Sequence, residues 1–516
     1  MNLIKKIALL LMSLNGFIWA SEAAAATESD SLVSSIDNFF GIIVGFVGDI
    51  MFFSVATFSH PIAGQGDIKF PFIIALLGIG GIFFTLRYSF INVKLFKHAI
   101  LVVMGKFDNP KDKGEISHFK ALTSALSATV GLGNIAGVAV AISVGGAGAV
   151  FWMWIVAFLG MSMKFSSCTL AQLYRRVDKN GRVLGGPMIY LEQGLAEKGL
   201  KTLGKVLAVI FAGLTIMGSF GGGNMFQGNQ TYVLVAERIY GTPENTPEVF
   251  KWIVGLALAI MVGAVILGGI KRIGSVTSKL IPAMVIFYSG VCLTIIFSNF
   301  SAIPSMFGDI FAQAFSPEAA FGGFIGVLIQ GMKRASFSNE AGLGSAAIIH
   351  AAAKTKEPVR EGTVAMLGPF IDTIVVCTMT ALTLLITQSH TIEGLSGVEL
   401  TSHAFGTLHP FLPTLLTIAV VIFAYSTMIS WSYYGEKATE YLFGESFIKY
   451  YRIVFSVLVV LGPVMSIGNV LDFSDLMLLS MAFPNIIGMI ILSGKVKVLV
   501  TDYYSRLKNG EIVPYK

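Results

Sequence analysis

The chain has 516 residues, 54% of them hydrophobic and 13% charged, with a mean hydropathy of +0.75 and a formal net charge of +6. Soluble domains carry about 25% charged residues. Half that share, spread over long apolar runs, excludes an ordinary soluble domain and implies an all-α polytopic membrane protein. The positive balance is no nucleic-acid signature, because the lysines and arginines lie between apolar runs and not in one patch.

In chain order, Lys5 and Lys6, an apolar run from Ile7 to Ala20, and then Ser21, Glu22 and four alanines read as a signal peptide over 1–26, cleaved near Ala23 to Ala26. An uncleaved signal anchor has the same order of regions. Either way, residue 30 onward starts outside the cytoplasm. Residues 27–69 form an extracytoplasmic segment, and within it 33–58, interrupted by Asp37 and Asp49, reads as an amphipathic helix on the outer surface.

A bilayer core takes about 20 apolar residues per helix. Spans are expected over 70–89, 119–144, 147–172, 205–236, 251–270, 279–298, 319–350, 363–388, 410–435, 450–468 and 474–494, about eleven in all. The first, with its cytoplasmic loop, makes an extra unit over 70–118. The remaining ten divide into sets of five over 119–298 and 299–494, followed by a cytoplasmic tail over 495–516. Basic residues fall in alternate loops, such as Lys94, Lys97, Arg175, Arg176, Lys271, Arg272, Lys354 and Lys437. The opposite loops hold mainly Asp309, Glu393, Glu399 and Asp472, with Arg238 a mild exception, so the positive-inside rule places the C-terminus in the cytoplasm.

Two spans are interrupted by glycines and small polar residues, Ser127 to Asn134 and Ala335 to Ser345. Unwound backbone in hydrocarbon is tolerated where it lines a cavity. A pair of such breaks, each opening one set of five and entering from opposite sides, points to an inverted repeat with substrate and ion sites at the midplane. Glycine-rich helix packing is the plainer reading of the first break. There, the N–H groups of Leu132 and Gly133, beside Gly131, suit a carboxylate. The carbonyls of Ser127 and Val130 suit a sodium ion, and Asn134 either ligates a cation or caps the second half-helix. A dinucleotide reading of Gly131 to Ala136 fails for want of a preceding strand.

Near the second break stand Lys333, Arg334, Ser338, Asn339 and Glu340. A salt bridge from Arg334 or Lys333 to Glu340 or Asp372 is expected, since lone charges at that depth are expensive. Ser338 and Asn339 are the better ligand contacts. Asp372 reads as a cation ligand, a proton carrier or the partner of Arg334. Phe423, Ser426 and Thr427, at i, i+3 and i+4, aim one carbonyl and two hydroxyls at one point, which completes five neutral oxygens for Na⁺ or else bonds back to the helix. Trp431 walls a small cavity, Gln227 faces the substrate, and Asn224 and Asn229 serve as ligands or as interhelical bonds. Thr129, Asn134, Asp372, Glu340 and Arg334 are the candidates for a second cation or coupling site. Cys168, Cys292 and Cys377 read as packing residues without metal spacing. Most of the seven histidines fall between apolar runs, so no nucleophile–base or metal set supports an enzyme.

His118 to Leu122 running into Gly131-Leu132-Gly133-Asn134-Ile135-Ala136-Gly137-Val138-Ala139 resembles the bacterial alanine or glycine:cation symporter family, within the amino acid–polyamine–cation superfamily. Gly148 to Trp154, Gly185-Gly186-Pro187-Met188, Gly223 to Gln227, Phe337 to Gly342, Ile371-Asp372-Thr373 and Trp431 to Glu436 follow in the family's order, over about residues 35 to 500. The resemblance implies a leucine-transporter-like five-plus-five inverted repeat in the bacterial inner membrane. It implies symport of a small neutral amino acid such as alanine or glycine with Na⁺, no other cofactor, and no partner beyond the bilayer, a monomer being sufficient. The substrate carboxylate would meet Leu132 and Gly133, the amine oxygens near Phe337 and Ser338, and Gln227 and Trp431 would bound the side chain. Sodium would sit among Ser127, Val130, Phe423, Ser426 and Thr427. Proton coupling, a larger substrate such as glutamine, and a channel are the alternatives. Leu132 stands where the family usually has threonine, and Lys333-Arg334-Ala335 where it usually has Ala-Arg-Gly, adding a buried charge.

Overall fold

Apolar runs of leucine, isoleucine, valine and phenylalanine close their own backbone hydrogen bonds as helices, which lets a single segment cross hydrocarbon. The computed structural model is accordingly built of helices with two small two-stranded ribbons. It describes residues 52–59, 67–242, 246–316, 323–465 and 467–515 and scattered positions between 41 and 49. The signal peptide over 1–26 and most of the outer segment lie outside the described residues. The end of the expected outer helix over 33–58 is a strand instead. β1 (Ser54–Phe58) pairs antiparallel with β2 (Ile68–Pro71). The β-branched and aromatic residues Val55, Thr57, Phe58, Ile68 and Phe70 favour that pairing over a helix.

After the ribbon comes α1 (Phe72–Arg87), then α2 (His118–Thr129) and α3 (Gly133–Gly145), α4 (Gly148–Tyr174), α5 (Lys201–Tyr240), α6 (Glu248–Ile266) and α7 (Gly269–Ser298). The second half holds α8 (Gly323–Asn339), α9 (Ala346–His350), α10 (Pro358–Ile386), α11 (Leu412–Phe443), α12 (Glu445–Val464) and α13 (Gly468–Lys508). Among the described residues, 8 helices are long and apolar enough to cross a bilayer, or 9 with the bent pair α2–α3. At the other expected spans the helices are shorter, 16 residues in α1 and 17 in α8.

α4, α10 and α13 are largely enclosed, whereas α6 and α7 turn Ile253, Ile260 and Ile286 outward as a lipid-facing surface. The expected tail over 495–516 is helical as far as Lys508. It is docked by Lys495 on Glu197 at 2.5 Å and by the Arg506 guanidinium on both oxygens of Glu357 at 2.9 and 3.0 Å.

Candidate substrate and ion site

α2 runs as regular helix to Thr129, leaves it at Val130 and Gly131, and resumes as α3 at an angle of 54°. The second break is shorter than the sequence suggests. α8 stays helical through Asn339, so Ala335 to Asn339 are not unwound, and only Glu340 to Ser345 leave the helix. Gly342 and Gly344 adopt φ of +86° and +91°, and Glu340 is forced to +56° beside them. Glycines, which reach the left-handed region freely, locate this break; the serines before it do not.

The breaks meet. A Cβ added at Gly133 would lie 3.5 Å from Ser338 Cα and 3.4 Å from the Phe337 ring. Polar side chains bind them together through Asp372 of α10, which accepts from Asn134 at 2.7 Å, Ser338 at 2.6 Å and Thr373 at 2.7 Å. Asn339 donates to Thr373 at 3.0 Å, and Asn134 Oδ1 accepts from the Gly131 amide at 2.9 Å. Asn134 and Asp372 are thus a clamp between the first break and the end of α8. Asp372 is not the partner of Arg334. Arg334 and Lys333 instead both bind Asp475 of α13, Lys333 at 2.7 Å, and the Arg334 guanidinium lies 5.4 Å over the Phe337 ring. The expected salt bridges to Glu340 and Asp372 are absent among the described residues. A carboxylate far along the sequence, on α13, supplies the countercharge. Glu340 instead accepts from Ser345.

Backbone groups freed by the breaks find side chains, as a buried break requires. Thr427 donates to the Ser127 carbonyl at 3.0 Å, Lys164 to the Asn339 carbonyl at 2.9 Å and Asn485 to the Gly342 carbonyl at 2.8 Å. Lys164 and Asn485 escaped the sequence reading. The signal for Lys164 was there, a lone lysine inside the apolar run of α4, since an ionisable group at membrane depth is functional by default.

A small cavity of about 10 Å³ lies between the breaks, about the room one water needs. Gly131, Gly133, Gln227, Phe337 and Trp431 line it together with Thr129 and Glu340, and Ala128, Gly222 and Leu478 complete the wall. Leu132, Ser338 and Asn339 do not line it; Leu132 is packed in the core and the other two face α10. Gln227 donates to the Gly222 carbonyl at 2.9 Å, and its Oε1 has no hydrogen-bond partner among the described residues. Asn224 and Asn229 bond instead to the backbone carbonyls of Phe455, Gly462 and Met465.

Beside the cavity the expected ion residues gather. Ser127 Oγ donates to the Ser426 carbonyl at 2.7 Å, Thr427 to the Ser127 carbonyl, and Ser426 to the Phe423 carbonyl at 2.9 Å. Val130, also buried, is held by its own helix through Leu126 at 2.6 Å. The Thr427 and Ser426 hydroxyls donate to the Ser127 and Phe423 carbonyls, two of those expected to hold a cation, and each would rotate to offer a lone pair instead. The three cysteines are free and buried, and among the described residues no group of histidines, cysteines and carboxylates is arranged to hold a metal. The histidines, however, are not mostly in loops. His98, His118, His350 and His403 lie in helices.

A helical bundle whose two broken helices close around a small cavity, with neutral oxygens gathered alongside, has the build of a membrane carrier. Comparison with known proteins agrees. The sodium:alanine symporter family model matches residues 55–515. The sodium/alanine symporter AgcS of Methanococcus maripaludis is 45% identical over 445 residues, 86% of this chain and 96% of AgcS. GlnT of Bacillus subtilis, named a probable sodium/glutamine symporter, is 35% identical, covering 85% and 89% of the two chains. Among solved structures, MhsT in complex with L-phenylalanine superposes with TM-score 0.50 at 13% identity, covering 74% of this chain and 98% of MhsT, and shares its leucine-transporter-like fold. The chain belongs to the sodium:alanine symporter family. It is a multi-pass, cation-coupled amino acid symporter and not an enzyme.

Proposed function

We propose that this symporter imports a small neutral amino acid, alanine or glycine, driven by an inward Na⁺ gradient across the bacterial inner membrane. The observation that carries the reading is that the oxygens of Ser127, Phe423, Ser426 and Thr427 gather at the same break that lines a small cavity. Thr427 holds the Ser127 carbonyl and also stands where a Gly131 side chain would be, 2.5 Å from its Cβ position, while Gly131 lines the cavity. The Gln227 oxygen in the cavity, and the carbonyls of α8 beside its wall residue Phe337, are acceptors suited to the substrate amine. The amides of Leu132 and Gly133 open α3 and suit its carboxylate.

The small size of the cavity favours alanine or glycine over glutamine, because the walls of Phe337, Trp431 and Leu478 must move less to admit them. The molecule reads as about eleven spans, with α2–α3 and α8–α9 each opening one arm of a five-plus-five inverted repeat, the N-terminus outside and the C-terminus inside. One arm set, α2 to α4 with α8 to α10, rocks against the rest once both ligands are bound.

The test is uptake of labelled alanine into proteoliposomes at fixed pH. Accumulation above equilibrium is expected with inward Na⁺ and absent when Na⁺ is replaced by choline. Uptake that ignores Na⁺ but collapses with an uncoupler would move the coupling to protons, through Glu340 in the cavity wall. Flux that never exceeds equilibrium would make the molecule a channel.

A further inference from the structure

On the lipid-facing side of the bundle, α6 and α12 lie side by side and enclose an apolar groove of about 590 Å³. Leu256, Gly263 and Leu267 stand along one face of α6, and Ile453, Val457 and Val460 along one face of α12. The helices touch at Gly255, where an added Cβ would lie 2.5 Å from the Val460 carbonyl oxygen. They part toward Gly263, where it would meet nothing within 4 Å. Ser456 also lines the groove and donates its hydroxyl to the Arg452 carbonyl at 2.9 Å, which leaves an apolar lining below the mouth. The wall from Leu256 to Leu267 rises about 16 Å, close to half of a hydrocarbon core about 30 Å thick.

The mouth of the groove is basic. Lys449 and Arg452 line it there, and past Leu267 it meets a polar recess of about 650 Å³ that these residues share with Lys271. Most other charges of the recess are already matched. Arg452 is held by Glu436 at 2.7 and 2.9 Å, Arg182 by Glu445, and Lys437 by Glu440 at 2.9 Å, while Glu115 accepts from the Val183 amide at 2.9 Å. Lys271 and Lys449 form no ion pair among the described residues, and Lys449 Nζ stands 4.8 Å over the Tyr450 ring. Two ammonium groups therefore face outward at the polar end of an apolar channel, where long basic side chains reach for the headgroups.

We propose that the groove between α6 and α12 binds one anionic phospholipid, with an acyl chain lying along Gly263 and the phosphate held by Lys271 and Lys449. A hydrocarbon chain matches an apolar channel one leaflet deep, and a phosphate is the anion that unpaired lysines between membrane helices attract. A soluble anion would use the recess and leave the groove unfilled. A zwitterionic headgroup would bring its own ammonium against the two lysines. In the proposed cycle α6 and α12 stand outside the arm set that rocks, so the lipid staples two helices of the stationary part and stays bound through transport.

Native mass spectrometry of the full chain in neutral detergent tests this, by titration with dioleoyl phosphatidylglycerol or with phosphatidylcholine of the same chains. Each lysine at a membrane surface favours an anionic lipid by about fivefold, so the first phosphatidylglycerol should bind at least about tenfold more tightly than phosphatidylcholine. In the double variant Lys271→Gln, Lys449→Gln the two lipids should bind alike. Gly263→Phe, whose ring enters open space and fills the groove, should lose the first tight phosphatidylglycerol and keep the wild-type melting temperature. Equal affinities in the wild type overturn the proposal, and so does a preference that survives either change. Full competition by glycerol phosphate would assign the lysines to a soluble anion, and a dimer abolished by Gly263→Phe would assign the groove to a second copy; both overturn it. The wild-type and Gly263→Phe arms stand even if the lysine variant does not fold. Because neither Na⁺ nor amino acid is added, the result is separable from whether Na⁺ and alanine are the transported pair.

Discussion

Trp431 reaches the cavity wall by lying against α5 at Gly223, where any side chain would collide with it. A Cβ added there would sit 2.3 Å from Trp431 Cγ and 2.4 Å from its Cβ. The indole is among the largest fully buried side chains and has no room to retreat, since Tyr434 packs edge-on against it at 5.0 Å. Gly223→Ala should therefore cost about 1–3 kcal/mol in strain and displace the ring into the cavity. Thermal-shift titration with alanine checks this, with at least about tenfold weaker binding expected for one such displacement. Gly213→Ala, in the same helix with nothing within 4 Å of the added atom, is the control and should bind alanine normally. Equal binding by the two variants would mean that Trp431 does not bound the substrate.

Among the elements, α8 shows what a local sequence reading can and cannot reach. Its charged pair Lys333-Arg334 announces a partner, but the partner, Asp475, is 141 residues from Arg334 and was invisible to a search confined to the nearby acids. The position of the second break was likewise misjudged by five residues, because serines and alanines are compatible with either state and only the backbone angles at Glu340, Gly342 and Gly344 decide. By contrast the helix positions, the first break and the Phe423–Ser426–Thr427 face were legible, since each follows from local periodicity or glycine spacing. The buried contacts of His118 of α2 and His350 of α9 with Glu361 of α10 required tertiary structure, as the three residues belong to different helices. The α8–α13 ion pair carries its own prediction. Asp475→Asn leaves buried Arg334 without its carboxylate partner, and breaking such a pair costs about 3–5 kcal/mol. The melting temperature should fall clearly, whereas the apolar double variant Arg334→Met, Asp475→Leu should recover most of the loss. Additive losses in the double variant would show that the two side chains act independently.

At the scale of the whole molecule, the proposed ion cage and the cavity are two faces of one unwound turn, and on that reading the arrangement fixes a relation between two affinities. Ser127 O is gripped by Thr427, Gly131 lines the cavity, and Asn134 bonds the Gly131 amide while holding Asp372 and, through it, Ser338 on α8. A cation taking the Ser127 and Phe423 carbonyls would draw Thr427 and Ser426 away from them and fix the carbonyl side of the break. The amide side, where a carboxylate would bind, is then already ordered. Linkage requires that the factor by which Na⁺ tightens alanine binding equal the factor by which alanine tightens Na⁺ binding, typically about 5- to 150-fold. Isothermal titration of each ligand at zero and saturating levels of the other measures both factors on the wild-type chain. In Thr427→Ala the shared contact is gone, so both factors should shrink together toward one, while Thr427→Ser, which keeps the hydroxyl, retains most of the coupling. Alanine affinity independent of Na⁺ in the wild type would mean that the cage and the cavity, although they share a turn, do not communicate through it.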